Sequence, residues 1–189
     1  MFTNTRLLQY NNVSPFCVYI FDNFLDKEYQ NIILQKTIEL TKEDSLNHVT
    51  NVKANMTKTS ELLKHEEYNF LKGRIATFLN LCFTLRAAHW GEKRNINFLN
   101  MWGMQHFKNH YTKNHTHGEV DWSGAYYLRC PDETNIYFPD VNDRDVITEN
   151  SLYLFPGGFQ HYTDRHVSDT SRVSIAFNCN ISWMPGAGF

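Results

Sequence analysis

Two histidines two positions apart, His115 and His117, stand in the run NHTHGEVDWSGAYYL, and a third, His161, ends the run LFPGGFQH. In an extended segment residues i and i+2 project to the same side, so two imidazoles can reach one ion from a single strand end. His161 follows a candidate strand and a PGG turn, from which a neighbouring strand can carry it beside the pair. Three neutral imidazoles suit a borderline divalent metal (iron, zinc, copper or nickel), and one face of such an ion stays open to a substrate and O2. His106, His110 and His166 are rivals, ranked lower because they lack an i, i+2 partner.

Arg172 adds a second element. It opens the run RVSIAFN, eleven residues after His161, with Ser174 on its own side of the strand. A guanidinium in a pocket pairs bidentately with a carboxylate, and a neighbouring hydroxyl adds a further bond. That arrangement suits the distal carboxylate of a dicarboxylic molecule.

The elements that must position these residues change character near position 95. Before it, CVYIFDNF reads as a short strand. DKEYQNIILQKTIELT reads as a helix capped by Asp26, with Ile32, Ile33, Ile38 and Leu40 at helical spacing. EEYNFLKGRIATFLNLCFTL is a second helix, with Tyr68, Leu71, Ile75, Phe78, Leu79 and Cys82 along one stripe. Residues 46–60 are polar and aperiodic and read as a loop over a pocket. From position 95 onward, INFLNMWGMQHF, SGAYYLRC, NIYF, SLYLF and RVSIAFNCNISW are short aromatic or β-branched runs between turn signals. Such a succession predicts two packed sheets or a barrel. Trp102, Phe107, Trp122 and Tyr126 are candidates for shaping the pocket, and 139–150 is a second candidate specificity loop.

The order HxH, SGAYYL, LFPGGFQH, RVSIAFN resembles that of the 2-oxoglutarate- and iron(II)-dependent oxygenases, and is most similar to an oxygenase subfamily of marine phages and bacteria. The motifs cover roughly residues 95–181. The resemblance implies a mainly β fold with N-terminal helices, a double-stranded β-helix (jelly roll, cupin-like barrel). It implies one domain over 1–189, with a helical support region at 1–94 and the β-helix core at 95–183. Iron(II) is the implied metal and 2-oxoglutarate the implied cosubstrate. The implied activity is hydroxylation of a C–H bond of an unidentified substrate by O2, with release of succinate and CO2. Residue by residue, His115 takes the first position of the family's HxD motif, His161 the distal histidine, Arg172 and Ser174 the RxS motif, and Tyr127 the place of a cosubstrate-binding tyrosine. His117 departs from the pattern by standing in the carboxylate slot. Three completions of the ligand set are open: His117 itself, Glu119 in an HxE version, or Asp121 from the same loop. No catalytic residue beyond the metal site is implied.

Two other classes compete. The cupins place HxH, an acid and PxGxxH around one metal, which here would be His115, His117, Asp121 and His161. A jelly roll can also be a non-catalytic binding module.

The bulk properties narrow the partners. A formal charge of −2, with Lys and Arg scattered, argues against nucleic acid. No run approaches the roughly 20 apolar residues of a membrane span, and the start has no long apolar stretch of a secretory signal. Cytoplasmic action follows as the expectation, with a phage origin implied by the resemblance. Cys17, Cys82, Cys130 and Cys179 form no CxxC pair and are expected to be reduced thiols. Oligomeric state has no signature in the chain.

Overall fold

The structure, a computed structural model, describes residues 4–9, 17–43, 51–86 and 94–183. The first strands are β1 (Asn4–Gln9) and β2 (Cys17–Asp22), followed by helix α1 (Lys27–Glu43). Two very short strands, β3 (Val52–Lys53) and β4 (Asn55–Met56), precede two 3-10 turns and helix α2 (Asn69–Arg86). The remainder is β5 (Arg94–His106), β6 (Tyr111–His115), β7 (Trp122–Arg129), β8 (Asn135–Phe138), β9 (Asp143–Val146), β10 (Ser151–Pro156), β11 (His161–Thr163) and β12 (Arg172–Trp183).

These strands form two antiparallel sheets. A seven-stranded sheet runs β1-β2-β10-β7-β12-β5-β4 and a five-stranded sheet runs β3-β6-β11-β8-β9. This is the double-stranded β-helix that the resemblance implies, and it meets the two packed sheets expected from the run of short strands. Successive side chains of a strand alternate between its faces, so the large sheet has two separate apolar faces. Val173, Ile175, Phe177 and Cys179 of β12 pack with Ile33, Leu34 and Leu40 of α1 and Leu71, Ile75, Leu79 and Cys82 of α2. Val18, Ile20, Ala125, Tyr127, Tyr153 and Phe155 pack with Ile136 and Phe138 of the small sheet, inside the barrel. The helices therefore sit on the outer face of the large sheet, and the inner face belongs to the barrel interior.

The caps and stripes act locally as expected. The Asp26 carboxylate accepts the Tyr29 N–H at 2.8 Å, which satisfies one of the orphan donors of α1. The α2 stripe is buried except for the half-buried Phe78, whereas Ile32 of α1 faces solvent and Leu34 takes its place in the core. The loop expected over 46–60 is in part strand. Positions 46–50 lie outside the described residues, but β3 pairs with β6 and β4 pairs with β5. The expected loop 139–150 likewise contains β9, paired with β8. β1 was not expected at all; it pairs along the whole of β2 and closes one edge of the large sheet. The tail MPGAGF, expected to fray or lie on the surface, is outside the described residues.

All four cysteines are free thiols, three of them buried. No helix among the described residues is long and apolar enough to cross a membrane.

Phe177 is fully buried where β12 meets the helices. Phe177→Ala is expected to lower stability by about 3–5 kcal/mol, read as a drop in the urea midpoint at unchanged slope.

Candidate metal centre

β6 ends at His115 and β11 begins at His161, and the two are direct cross-strand partners. Their rings lie 4.3 Å apart, centroid to centroid. His117 follows β6 by two residues, just before a turn in which Gly118 takes a φ of +68°. Its backbone N–H donates to Gly157 O at 2.9 Å, so the PGG turn holds it in place. Position 157 tolerates no side chain, because a Cβ there would lie 2.2 Å from Val120 O. The His117 ring lies 5.0 Å from each of the other two. The donor nitrogens of all three lie within 4.8 Å of one another, and among the described residues no carboxylate or thiol joins them.

The surroundings prepare these rings as ligands. His115 donates its Nδ1–H to Lys113 O at 2.9 Å, and His161 donates its Nδ1–H to Phe159 O at 3.1 Å. Each bond fixes the tautomer with the Nε2 lone pair free. His117 Nδ1 lies 3.4 Å from the Asn178 side-chain amide, which the Ser123 hydroxyl holds from the other side at 2.7 Å. As placed, the Ser123 hydroxyl donates to Asn178 Oδ1 and the Asn178 Nδ2–H points at His117 Nδ1, so this contact orients the third ring. Burial holds the imidazoles in the neutral form that a metal requires. It lowers His161 to about 3 and His117 to about 4, with the neighbouring histidines adding to the effect, and it lowers His115 as well.

The acids of the neighbouring loop lie apart. The Asp121 carboxylate accepts the Ile181 N–H at 2.8 Å, and Glu119 is exposed. The four-ligand cupin set is therefore not assembled. The rival histidines have other partners. His166 rests against the Asp132 carboxylate at 2.9 Å and donates to Thr170 O, while its backbone pairs with Asn109 and His110. His110 Nδ1 accepts the Phe107 N–H.

A cavity opens beside the cluster, walled by Trp102, Met104, Ala125, Tyr127, Phe155 and Ala176. Of the four aromatic residues expected to shape it, Trp102 does so, with its ring 5.9 Å from that of His117. Tyr126 and Trp122 pack in the helix-side core and Phe107 is exposed. Tyr126 and Tyr127 are adjacent in the chain and so face opposite sides of the sheet. Val52 of β3 also reaches the cavity, from the segment expected to supply contacts. Nothing in the polar run around Val52 distinguished it from its neighbours.

Arg172 begins β12 on the cavity side of the sheet, 1% exposed. Its Nη2–H donates to Thr163 Oγ1 at 3.3 Å, whereas its Nε and Nη1 are buried without a partner. Ser174 is fully buried on the same side, paired across β7 with Tyr127. Thr163 was not anticipated. It lies two residues beyond His161 on the same side of β11, so the histidine cluster and the guanidinium are joined through one short strand.

The chain matches no protein-family model and no curated protein. Among solved structures it is similar to the viral collagen prolyl hydroxylase of Paramecium bursaria Chlorella virus-1 in complex with 2-oxoglutarate. The TM-score is 0.62 at 14% identity, over 86% of this chain and 94% of that one. It is similar also to the non-haem α-ketoglutarate-dependent epimerase SnoN of nogalamycin biosynthesis, with TM-score 0.67 at 11% identity over 91% and 86%. A third is the prolyl hydroxylase of Trichoplax adhaerens, solved with a hypoxia-inducible-factor peptide, with TM-score 0.63 at 15% identity over 89% and 84%. The fold is that of the 2-oxoglutarate-dependent oxygenases. In this oxygenase fold the three histidines and Arg172 all lie on the barrel-side face.

Acid sensitivity follows from the buried imidazoles. The unfolded chain binds protons at these histidines near pH 6.5, whereas the folded chain binds them only at lower pH. Stability is therefore lost as pH falls below about 6.5. The thermal midpoint of the metal-free protein is expected to drop between pH 7 and pH 5, and a flat profile would contradict the burial of neutral rings. His161→Ala is expected to abolish binding of added iron(II) while the fold survives. Asp121→Asn is expected to leave it unchanged; both are read by metal content after desalting.

Proposed function

We propose that this protein is a 2-oxoglutarate- and iron(II)-dependent dioxygenase that hydroxylates a C–H bond of a substrate not yet identified. The observation that carries this reading is the guanidinium of Arg172. A buried charge is costly unless an opposite charge meets it, and two of its three nitrogens have no partner. An anion that reaches it past Thr163, which lines the cavity shared with the three histidine donors, resolves that imbalance.

The chain's own residues then have distinct tasks. His115, His117 and His161 are the metal ligands, and their neutral donor set accepts iron(II). Arg172, with Ser174 and Tyr127 near it, is the anchor for the far carboxylate of 2-oxoglutarate. His161 and Thr163 are one side-chain repeat apart, about 7 Å along the strand. A linear diacid chelating at one end can span that distance to Arg172 at the other. The apolar wall of Met104, Ala125, Phe155 and Ala176 excludes water around the bound molecule. When bound, iron(II) supplies the redox chemistry that couples O2 and 2-oxoglutarate to substrate oxidation, releasing succinate and CO2.

The motifs HTHGEVDWSGAYYL, LYLFPGGFQH and RVSIAFN support assignment to the phage and bacterial subfamily. The four free thiols support action in a reducing compartment, the cytoplasm. The oxygenase reading accounts for the buried Arg172, which a cupin-type site and a purely structural jelly roll both leave without a function.

Anaerobic titration of the iron(II) protein with 2-oxoglutarate tests the reading. A visible charge-transfer band of the chelate is expected in the wild type. Arg172→Ala is expected to weaken 2-oxoglutarate binding by roughly 30- to 1,000-fold, the equivalent of about 2–4 kcal/mol. Bound iron with no band at any concentration would remove 2-oxoglutarate from the assignment.

A further inference from the structure

His106 is the last residue of β5 and the direct cross-strand partner of Arg172. Alternate residues of β5 share a face, and Met104 and Trp102, two and four positions before His106, both reach the cavity. His106 shares the face of Met104 and is 2% exposed. Its Nε2 lies 3.5 Å from the Thr112 hydroxyl, and Thr112 lines the cavity from the small sheet. Thr163 Oγ1 completes the group, accepting from both the Thr112 backbone N–H and the Arg172 guanidinium. His106, Arg172, Thr112 and Thr163 thus form one polar cluster between the sheets, continuous with the histidine centre through β11.

The hydrogen-bond accounting of this cluster is incomplete in one direction. The Thr163 hydroxyl oxygen already accepts twice, so Arg172 Nε and Nη1 find nothing there. A Thr112 hydroxyl that donates to His106 Nε2 leaves the proton of the ring on Nδ1. That Nδ1 is buried and has no partner. Burial and the positive charge of Arg172 both hold the ring in its neutral form. The result is an uncharged N–H donor, His106 Nδ1, on the strand adjacent to a guanidinium whose Nε and Nη1 also lack an acceptor among the described residues. Two buried donors on cross-strand partner residues, each lacking an acceptor, match a carboxylate, whose two oxygens can serve both.

We infer that His106 donates its Nδ1–H to the same carboxylate that Arg172 holds, and is a second anchor for the far end of 2-oxoglutarate. This rests on the reading of Arg172 given above and adds to it a residue outside the HxH…H…RxS pattern. The anchor makes the deep end of the site selective for a molecule with a carboxylate at that end. A 2-oxo acid that offers the same chelating group without the far carboxylate gains nothing from His106.

The test titrates iron(II)-loaded protein anaerobically with 2-oxoglutarate and, separately, with pyruvate, reading affinity by calorimetry and by the charge-transfer band. His106→Leu removes the donor, and His106→Gln restores an amide donor of similar reach. The expected result is a loss of 2-oxoglutarate affinity of about tenfold to a hundredfold in His106→Leu, pyruvate affinity at the wild-type level, and partial recovery in His106→Gln. Iron content and thermal unfolding report whether each variant is folded. If His106→Leu does not fold, the ratio of the two affinities in His106→Gln decides, and an intermediate fall in that ratio is the supporting result. A ratio at the wild-type value in the folded variants overturns the inference, as does an equal loss for both ligands. A wild-type protein that binds iron but not 2-oxoglutarate overturns the oxygenase reading itself, and His106 with it.

Discussion

The guanidinium of Arg172 sits 1% exposed inside a barrel whose described residues offer it one threonine hydroxyl. A charge in that position is unfavourable for the isolated protein, and only the surrounding architecture keeps it there. β12 is paired on both sides, with β5 and with β7, and its alternate residues pack in the helix-side core. The chain can retain an uncompensated cation because the strand that carries it is among the most constrained in the molecule. The remaining features of the centre are arranged around that strand. Asn178 of β12 approaches His117, Ala176 lines the cavity and Ser174 lies beside Tyr127.

The alternation of a β-strand separates packing from chemistry across a single layer. Odd and even positions of β12 belong to different compartments: Val173, Ile175 and Phe177 to the helices, Arg172, Ser174 and Ala176 to the barrel. The same division places Tyr126 against the helices and Tyr127 against the cavity. A one-residue slip in this sheet would exchange the two sets and bury the polar group among the helices. The helices α1 and α2 hold the register by demanding an apolar face, and so take part in setting the site without touching it.

Much of this was legible in the chain. The helical stripes, the Asp26 cap and the aromatic strands follow from local periodicity, and the HxH spacing and the Arg172–Ser174 pair follow from it too. What escaped was set by contacts distant in sequence. β3 and β4 are two residues each, too short to carry a period, and they exist because the edges of β6 and β5 offer them backbone partners. β9 lies among turn residues for the same reason, paired against β8. His106 looked like a lone histidine because its companions come from other strands: Arg172 across the sheet, and Thr112 from the opposite sheet. Asp121 looked like a ligand because it is close in sequence to the HxH pair, but the backbone N–H of Ile181 occupies its carboxylate.

The two short strands of the 52–56 segment belong to different sheets. β3 is an edge of the small sheet and β4 an edge of the large one, with Ala54 alone between them. It is the shortest crossing from one sheet to the other among the described residues, and Val52 within it touches the cavity. The segment works as a clasp: the gap between the sheets at this rim can widen only as far as one residue can stretch. Whatever enters the barrel along this side must fit a fixed aperture or unfasten the clasp's backbone bonds, so admission and the local integrity of the fold are governed by the same few hydrogen bonds.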